Sequence, residues 1–411
     1  MRDLSARIVI AGGGHAGGAA AAALRQFGWK GQITIIGEEP VAPYQRPPLS
    51  KTWLKGETDF QALLLRAAHF YETNNVSLHL SQRVTGIERE QQQVALASGE
   101  AVPYDHLILA LGAVPRTLRL PGIDLGGVLT LRSVVDADHL KPRLHLGARI
   151  IVAGGGYIGL EVAASARSLG ADVVVIEREE RVLSRVASPA VSAFFQNHHA
   201  SRGVRVECGA SIEELEGQGG QVRGARLSDG RFVECDTVLI AVGVAANDQL
   251  GRAAGLPCDD GIVVDLAART ADTAIHAIGD CTRRPLPLYG CTMRLESVPN
   301  ALEQAKQAAA DLCGRPPPAP EAPWFWSDQY EARLQIAGMP IGAVECITRG
   351  DPRSGSFAVF HLSQDGVLLT VEAVNAAADF VAGRTMVARR QRIAPDVLRD
   401  PNQSLRELAK A

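Results

Sequence analysis

Cysteine is missing from the first 207 residues of this 411-residue chain. None of the seven that follow (Cys208, Cys235, Cys258, Cys281, Cys291, Cys313, Cys346) forms a C-x-x-C pair. A metal cage or a redox dithiol needs close spacing, so neither is expected and no metal is assigned. The seven read as reduced structural thiols. An excess of one charge is missing too. The net charge is −3 with 21% charged residues, which offers no field for nucleic acid or a membrane surface. No apolar run approaches the roughly 18 residues a membrane span requires. The opening MRDLSARIVIAGGG lacks the basic, apolar and cleavage regions of a signal peptide. These absences point to a soluble cytoplasmic protein. With 46% hydrophobic residues, the chain can build two or three domains, each with its own core.

What the chain does have is one element written twice. RIVIAGGGHAGG begins at Arg7 and RIIVAGGGYIGL at Arg149. Each copy reads as a strand, a glycine turn and a helix. ARIVIA leads into the first glycines, AAAAALRQFG carries the helix to a stop at Gly28, and QITIIGEE supplies the next strand. ARIIVAGGG, YIGLEVAASARSLG and DVVVIERE repeat the order, with Gly170 as the stop. Two βαβ units in one chain predict two doubly wound parallel sheets.

Both turns fit G-x-G-x-x-G: Gly12, Gly14 and Gly17, then Gly154, Gly156 and Gly159. The first glycine permits a tight turn, the second lets a pyrophosphate approach the backbone, and the third lets helix and strand pack closely. The phosphates then sit on a helix N-terminus. An acidic residue about 20–25 positions on should accept from an adenosine ribose, and Glu38 and Glu177 stand there; a solvated charge at a strand end is the alternative. A carboxylate at 177 repels a 2′-phosphate, which favours NADH over NADPH, although Arg178 adjoins it. Two such loops predict two dinucleotides, FAD and a nicotinamide nucleotide.

The remaining pattern is consistent with a second sheet inserted into the first. HLILALGAVPR (106–116) and TVLIAVGVAAN (237–247) each read as a strand and glycine turn closing one unit. TAIHAIGDC (273–281) is a later strand expected to return to the N-terminal sheet. SVPNALEQAKQAAADL (297–312) reads as a helix with Pro299 in its first turn. Beyond the proline-rich CGRPPPAPEAP (313–323), RLQIAG, AVECITR, SFAVFHL and GVLLTVEAV look like antiparallel strands, with Gly366 in a hairpin turn, then a basic helical tail including ARRQR (388–392). The expected fold class is α/β: two Rossmann-like, glutathione-reductase-like dinucleotide domains plus a small α+β C-terminal domain. The expected boundaries are 1–115 with 246–325 for FAD, 116–245 for NADH, and 326–411.

PYQRPPLSK (43–51), GGGYIGLEVAA (154–164), SAFFQNHH (192–199), RLESVPNALEQA (294–305) and PWFWSDQY (323–330) make the whole chain resemble the FAD-containing, NADH-dependent ferredoxin reductases of bacterial oxygenase systems. The resemblance implies hydride transfer from NADH to FAD, then single-electron delivery to a small iron–sulfur ferredoxin that feeds a haem monooxygenase or Rieske dioxygenase. It implies FAD contacts from Gly12, Gly14, Ala16, Gly17, Glu38, Lys51, Val84, Asp280 and Val298. On the NADH side it implies Gly154, Gly156, Tyr157, Ile158, Gly159, Glu161, Glu177 and Gly243. Lys51 would lie near flavin N5, and Glu161 would reach the nicotinamide carboxamide and pair with Lys51. The position matching Glu161 in the first copy is Ala19, so this carboxylate belongs to the second loop alone. Departures from the family pattern are His15 and Gly18 in the first loop and the LALG turn (109–112), which lacks a threonine.

Relatives that pass electrons through cysteine need a pair, or one, early in the chain; this sequence has neither before Cys208. Electrons are therefore expected to leave the flavin directly, with Trp326 either lining the exit or filling a core. Arg294, Arg389, Arg390 and Arg392 are candidate charges for docking an acidic ferredoxin, or members of an ordinary solvated face. A monomer or weak dimer is expected. The alternatives are an NADH-dependent reductase of rubredoxin, monodehydroascorbate or a quinone, and a flavoprotein interaction module.

Overall fold

The computed structural model describes residues 3–410. They form two compact units. One holds the chain up to Arg46, Asp59–Val114 and Ala245–Pro323; the other holds Pro47–Thr58, Pro115–Val244 and the chain from Trp324 onward.

The first unit is built on a five-stranded sheet in the order Ile275–Ala277, His106–Leu109, Ile8–Ala11, Ile33–Ile36, Val76–His79. All four pairings are parallel. The three central strands are almost entirely buried, as expected of a parallel sheet covered on both faces. On one face lie the helices His15–Phe27 and Val298–Leu312, whose Ala20, Ala23, Ala301, Ala305 and Ala308 share a core with Ile8, Ile10, Ile33 and Ile35. Small alanines let the helix axes come close; Leu24 adds the bulk, worth about 2 kcal/mol for burial of its side chain. The other face packs against Val94, Leu96 and Tyr104 of a three-stranded antiparallel flap. The strand Ile275–Ala277, nearly 170 residues after its neighbour in sequence, joins the N-terminal sheet, as the late GD strand predicts.

The second unit carries its own parallel sheet, in the order Arg205–Cys208, Asp172–Glu177, Arg149–Ala153, Thr237–Ile240, Val128–Leu129. The helix Tyr157–Ser168 follows Arg149–Ala153. An antiparallel meander over Ile212–Glu234 shares a core with this sheet through Leu215, Val222, Ala225 and Leu227. The unit also contains a five-stranded antiparallel sheet in the order Trp324–Gln329, Ala332–Gly338, Leu368–Val374, Ser356–Ser363, Ala343–Asp351, with the helix Ala377–Ala388 against it.

Two details differ from the sequence reading. Trp324–Gln329 is a fifth strand that begins at the end of the proline-rich connector and hairpins into Ala332–Gly338. Its WFWSDQ pattern does not alternate apolar with polar residues, so periodicity gives no strand signal. ARRQR does not form a helix face. The helix stops at Ala388, Arg390 takes a left-handed conformation (φ 51), and Arg392 bridges to Val367. The Arg389 guanidinium donates to the carbonyl of Ala409 (2.7 Å), and Arg389, Arg390 and Arg392 are all exposed.

Candidate active site

In the first unit the glycine loop is set by three different constraints. Gly12 has φ 122, and a Cβ there would lie 2.2 Å from the Ala110 carbonyl oxygen. Gly17 turns its Cα toward the loop: a Cβ would meet the Gly12 carbonyl oxygen at 2.1 Å. Gly14 is the N-cap of the helix, makes no side-chain cap, and would meet only the Arg46 guanidinium, at 3.7 Å. The middle glycine is thus the open one, and it leaves the first N–H groups of the helix without a side-chain partner. Ala16 is buried, and Gly279 comes within 3.1 Å of its Cβ when given one, which brings the Gly279-Asp280 turn against the loop. His15 sits at the helix start. Burial and Arg46 push its pKa down, Asp280 opposes, and its Nδ1 is buried with no hydrogen-bond partner among the described residues. Glu38 is 63% exposed and forms an ion pair with Arg83. Val84 opens the first strand of the flap, and Val298 starts its helix behind the Ser297 cap, whose hydroxyl accepts from Asn300 N (3.2 Å).

The second unit repeats this geometry. Gly154 has φ 111 with the Ala241 carbonyl oxygen 2.5 Å from its would-be Cβ, and Gly159 would meet the Gly154 oxygen at 2.1 Å. Gly156, again the helix N-cap, would meet nothing within 4 Å. Glu177 does more than end its strand. Its carboxylate accepts from Gly155 N (2.6 Å) and Glu179 N (2.9 Å), so it braces the loop from behind. Arg178 is turned to Glu179 (3.0 Å). Ile158 is exposed, and Gly243, at φ 101, lies beside Arg185. The Tyr157 ring packs 4.6 Å from Phe325; burial, with Glu372 nearby, pushes its hydroxyl well above the ordinary tyrosine range.

Four residues down the same helix comes the feature the first loop lacks. Glu161 is 3% exposed and pairs with Lys51 at 2.6 Å. Tyr157, Glu161 and Ser165 recur at helical spacing and form one stripe. Ser165 donates to the Ser50 carbonyl (2.8 Å), and Ser50 donates to Glu161 Oε2 (2.5 Å), so the Pro47–Thr58 segment is tied to the helix at the residue before Lys51. Ser327 donates to the other oxygen, Oε1 (2.7 Å). A carboxylate this deep costs several kcal/mol to desolvate; three donors, one of them cationic, offset that. Lys51 and Glu161 were legible as a pair from the resemblance. Ser50 and Ser327 were not, though Ser50 adjoins Lys51 and Ser327 adjoins Trp326.

Behind Ser327 lies His199. Its Nε2 is 2.9 Å from Gln329 Oε1, and burial pushes its pKa down to about 4, with His198 and Arg202 adding and the Gln329 bond opposing. Above about pH 6.5 the imidazole is neutral in folded and unfolded chains alike. Below that the unfolded chain takes up a proton the folded chain refuses, so this residue removes stability as pH falls from 6.5 toward 4, about 2 kcal/mol by pH 5. Urea midpoints at pH 7 and pH 5 should differ less for His199→Asn than for the wild type. An undiminished difference would contradict the assignment.

None of the seven cysteines forms a disulfide, and burial pushes the Cys235 and Cys281 thiols up to about 12. No group of three or more metal-ligating side chains occurs among the described residues. Arg294 is only 10% exposed and pairs with Asp260 (3.2 Å) and Glu296, so it is not a free docking charge.

Comparison with known proteins gives a consistent result. The pyridine nucleotide-disulphide oxidoreductase family profile matches residues 6–305, and the reductase C-terminal profile matches residues 324–409. The probable ferredoxin reductase CtmF of Castellaniella defragrans is 48% identical over 404 residues, covering 98% of each chain. The putidaredoxin reductase CamA of Pseudomonas putida is 39% identical over 409 residues, covering 98% of this chain and 97% of the relative. The crystal structure of the covalent putidaredoxin reductase–putidaredoxin complex superposes with a TM-score of 0.96 over 100% of both chains, at 39% identity.

Proposed function

The chain belongs to the ferredoxin reductases of the pyridine nucleotide-disulphide oxidoreductase family, and from that membership we propose that it carries electrons from NADH, by way of FAD, to a small iron–sulfur ferredoxin serving an oxygenase. Bound FAD supplies the exchange of one two-electron donor for two one-electron deliveries. The residues present fit that group. The open Gly14 at an uncapped helix start and the orphaned His15 Nδ1 suit a pyrophosphate. Gly12, Gly14, Ala16, Gly17, Glu38, Val84, Asp280 and Val298 hold FAD, and Lys51 supplies a cation for its ring. Gly154, Gly156, Tyr157, Ile158, Gly159, Glu177 and Gly243 hold NADH.

The single observation that carries the reading is the buried Lys51–Glu161 pair on the second glycine-loop helix, in a chain whose seven cysteines form no disulfide. Glu161 accepts from the nicotinamide carboxamide and orients it. Glu177, already fixed by two backbone N–H groups, accepts from the adenosine ribose and repels a 2′-phosphate. With no dithiol to take electrons, an outside protein is the acceptor. Seven cysteines with no disulfide among them suit a reducing compartment, and no helix among the described residues is long and apolar enough to cross a membrane. Both support a place in the cytoplasm.

The test is anaerobic mixing of the holoenzyme with NADH, followed by the flavin absorbance. NADH should bleach the flavin within the enzyme's turnover time, NADPH should be at least about tenfold less efficient, and sustained turnover should need added ferredoxin. Slow bleaching without turnover would instead favour an interaction module.

A further inference from the structure

Glu161 is the end of a line of hydrogen bonds that all point the same way. Gln329 Nε2 donates to Ser327 Oγ (3.2 Å), so the Ser327 proton is left for Glu161 Oε1 (2.7 Å). With its amide nitrogen committed to Ser327, Gln329 presents Oε1 to His199 Nε2 (2.9 Å), which must then carry the imidazole proton. His199 Nδ1 is buried and has no partner among the described residues, which agrees with that tautomer: it is the bare lone pair. Ser327, Gln329 and His199 are fully buried, so water cannot substitute for any member. On the strand Trp324–Gln329, Phe325, Ser327 and Gln329 alternate onto one face, and on the helix Tyr157 and Glu161 share one stripe. Phe325 meets Tyr157 and Ser327 meets Glu161, so strand and helix are in register.

We infer that Ser327, held by Gln329 and His199, is a positioning residue that fixes the orientation of the Glu161 carboxylate for the nicotinamide carboxamide. Oε2 is taken by Lys51 and Ser50. Oε1 is therefore the oxygen with a lone pair left for a ligand amide, and Ser327 sets where that lone pair points. A carboxylate rotor with donors on one oxygen only would spread over several angles; a donor on each oxygen pins it. The C-terminal sheet thereby takes part in gripping the nicotinamide through a serine that touches no cofactor. The inference rests on the proposed NADH role of Glu161.

The experiment measures NAD⁺ affinity of the oxidised holoenzyme by titration calorimetry, with FAD content and melting temperature recorded alongside. Ser327→Ala should weaken binding about tenfold, Ser327→Thr, which keeps the hydroxyl, should stay within about twofold, and Gln329→Leu should fall between them. In a Glu161→Ala background Ser327→Ala should change nothing further. Unchanged affinity in Ser327→Ala while Glu161→Ala is weakened would overturn the inference alone. So would equal losses in the alanine and threonine variants, or an equal loss in both backgrounds. Unchanged affinity in Glu161→Ala would overturn the NADH role of Glu161 and the inference with it.

Discussion

Glu161→Ala is expected to lower kcat/KM for NADH by about two orders of magnitude, and to lower the melting temperature as well. The two effects have different origins. On the proposed role of Glu161 the kinetic loss comes from the nicotinamide, which loses its acceptor; a charge-assisted hydrogen bond plus the orientation it imposes is worth about 2–3 kcal/mol. The stability loss comes from Lys51, only 17% exposed. Without its carboxylate the ammonium is left largely out of water, and breaking one side of a buried pair costs about 3–5 kcal/mol. A second substitution separates them. Adding Lys51→Met removes the stranded charge and should recover much of the melting temperature, while the rate of flavin reduction by NADH stays low. Glu161→Gln should lie between, because it can still accept from Ser327 and Ser50 but holds no charge for Lys51. Anaerobic stopped-flow reduction and thermal melts read the two quantities independently. If Glu161→Ala holds its full FAD content and is reduced at the wild-type rate, Glu161 has no part in handling NADH.

How much of this could be read in the letters depends on whether a residue's partner is near in sequence. The glycine loops were legible because their spacing is dictated locally: Gly17 must avoid the oxygen of Gly12, and Gly159 that of Gly154, across a single strand–helix joint. Glu161 stood out through the resemblance and through comparison of the two copies, where Ala19 occupies the matching place. Glu177 was legible as an acidic strand end, but its bonds to Gly155 N and Glu179 N were not, since any carboxylate there would give the same pattern. Ser327 was invisible. Its partner lies 166 positions away on another element, and a serine between Trp326 and Asp328 carries no period or motif. The arginines were visible in the sequence, but their local structure and partners were not. A run such as ARRQR reads as a charged helix face, yet the helix stops at Ala388 and the exposed Arg389 donates to the Ala409 carbonyl, while Arg294 is paired with Asp260 and Glu296. Composition reports how many charges exist; it does not report which are already spoken for.

The two glycine loops give a second large effect, because the same substitution should do opposite things at neighbouring positions. Gly156→Ala should leave the fold, the FAD content and the melting temperature essentially unchanged. Gly156 has φ −81 and ψ −175, extended backbone open to any residue, and its new Cβ meets nothing within 4 Å. On the proposed NADH role of this loop, that empty volume is where a pyrophosphate approaches the helix N-terminus. A methyl group there pushes the phosphates off the N–H groups, and KM for NADH should rise about thirtyfold, roughly the 2 kcal/mol of a displaced charge-assisted contact. Gly159→Ala should fail earlier. Its Cβ would lie 2.1 Å from the Gly154 oxygen and 3.2 Å from Val152. Since the first obstacle is backbone within the same turn, neither side can yield without dismantling the strand–helix joint, a loss of more than about 4 kcal/mol. The first loop offers the matching contrast. Gly14→Ala should fold, since Arg46 at 3.7 Å is a flexible neighbour, but should lose FAD, whereas Gly17→Ala should not yield stable protein. Purified FAD content, thermal melts and the NADH dependence of turnover measure all four variants. A Gly156→Ala enzyme with wild-type KM would mean that the dinucleotide does not cross this loop. A Gly14→Ala protein that lost NADH affinity but kept its flavin would exchange the roles of the two loops. The expected pattern, one cofactor lost per loop with the fold preserved, requires that the open glycine serve the ligand and the crowded glycine serve the chain.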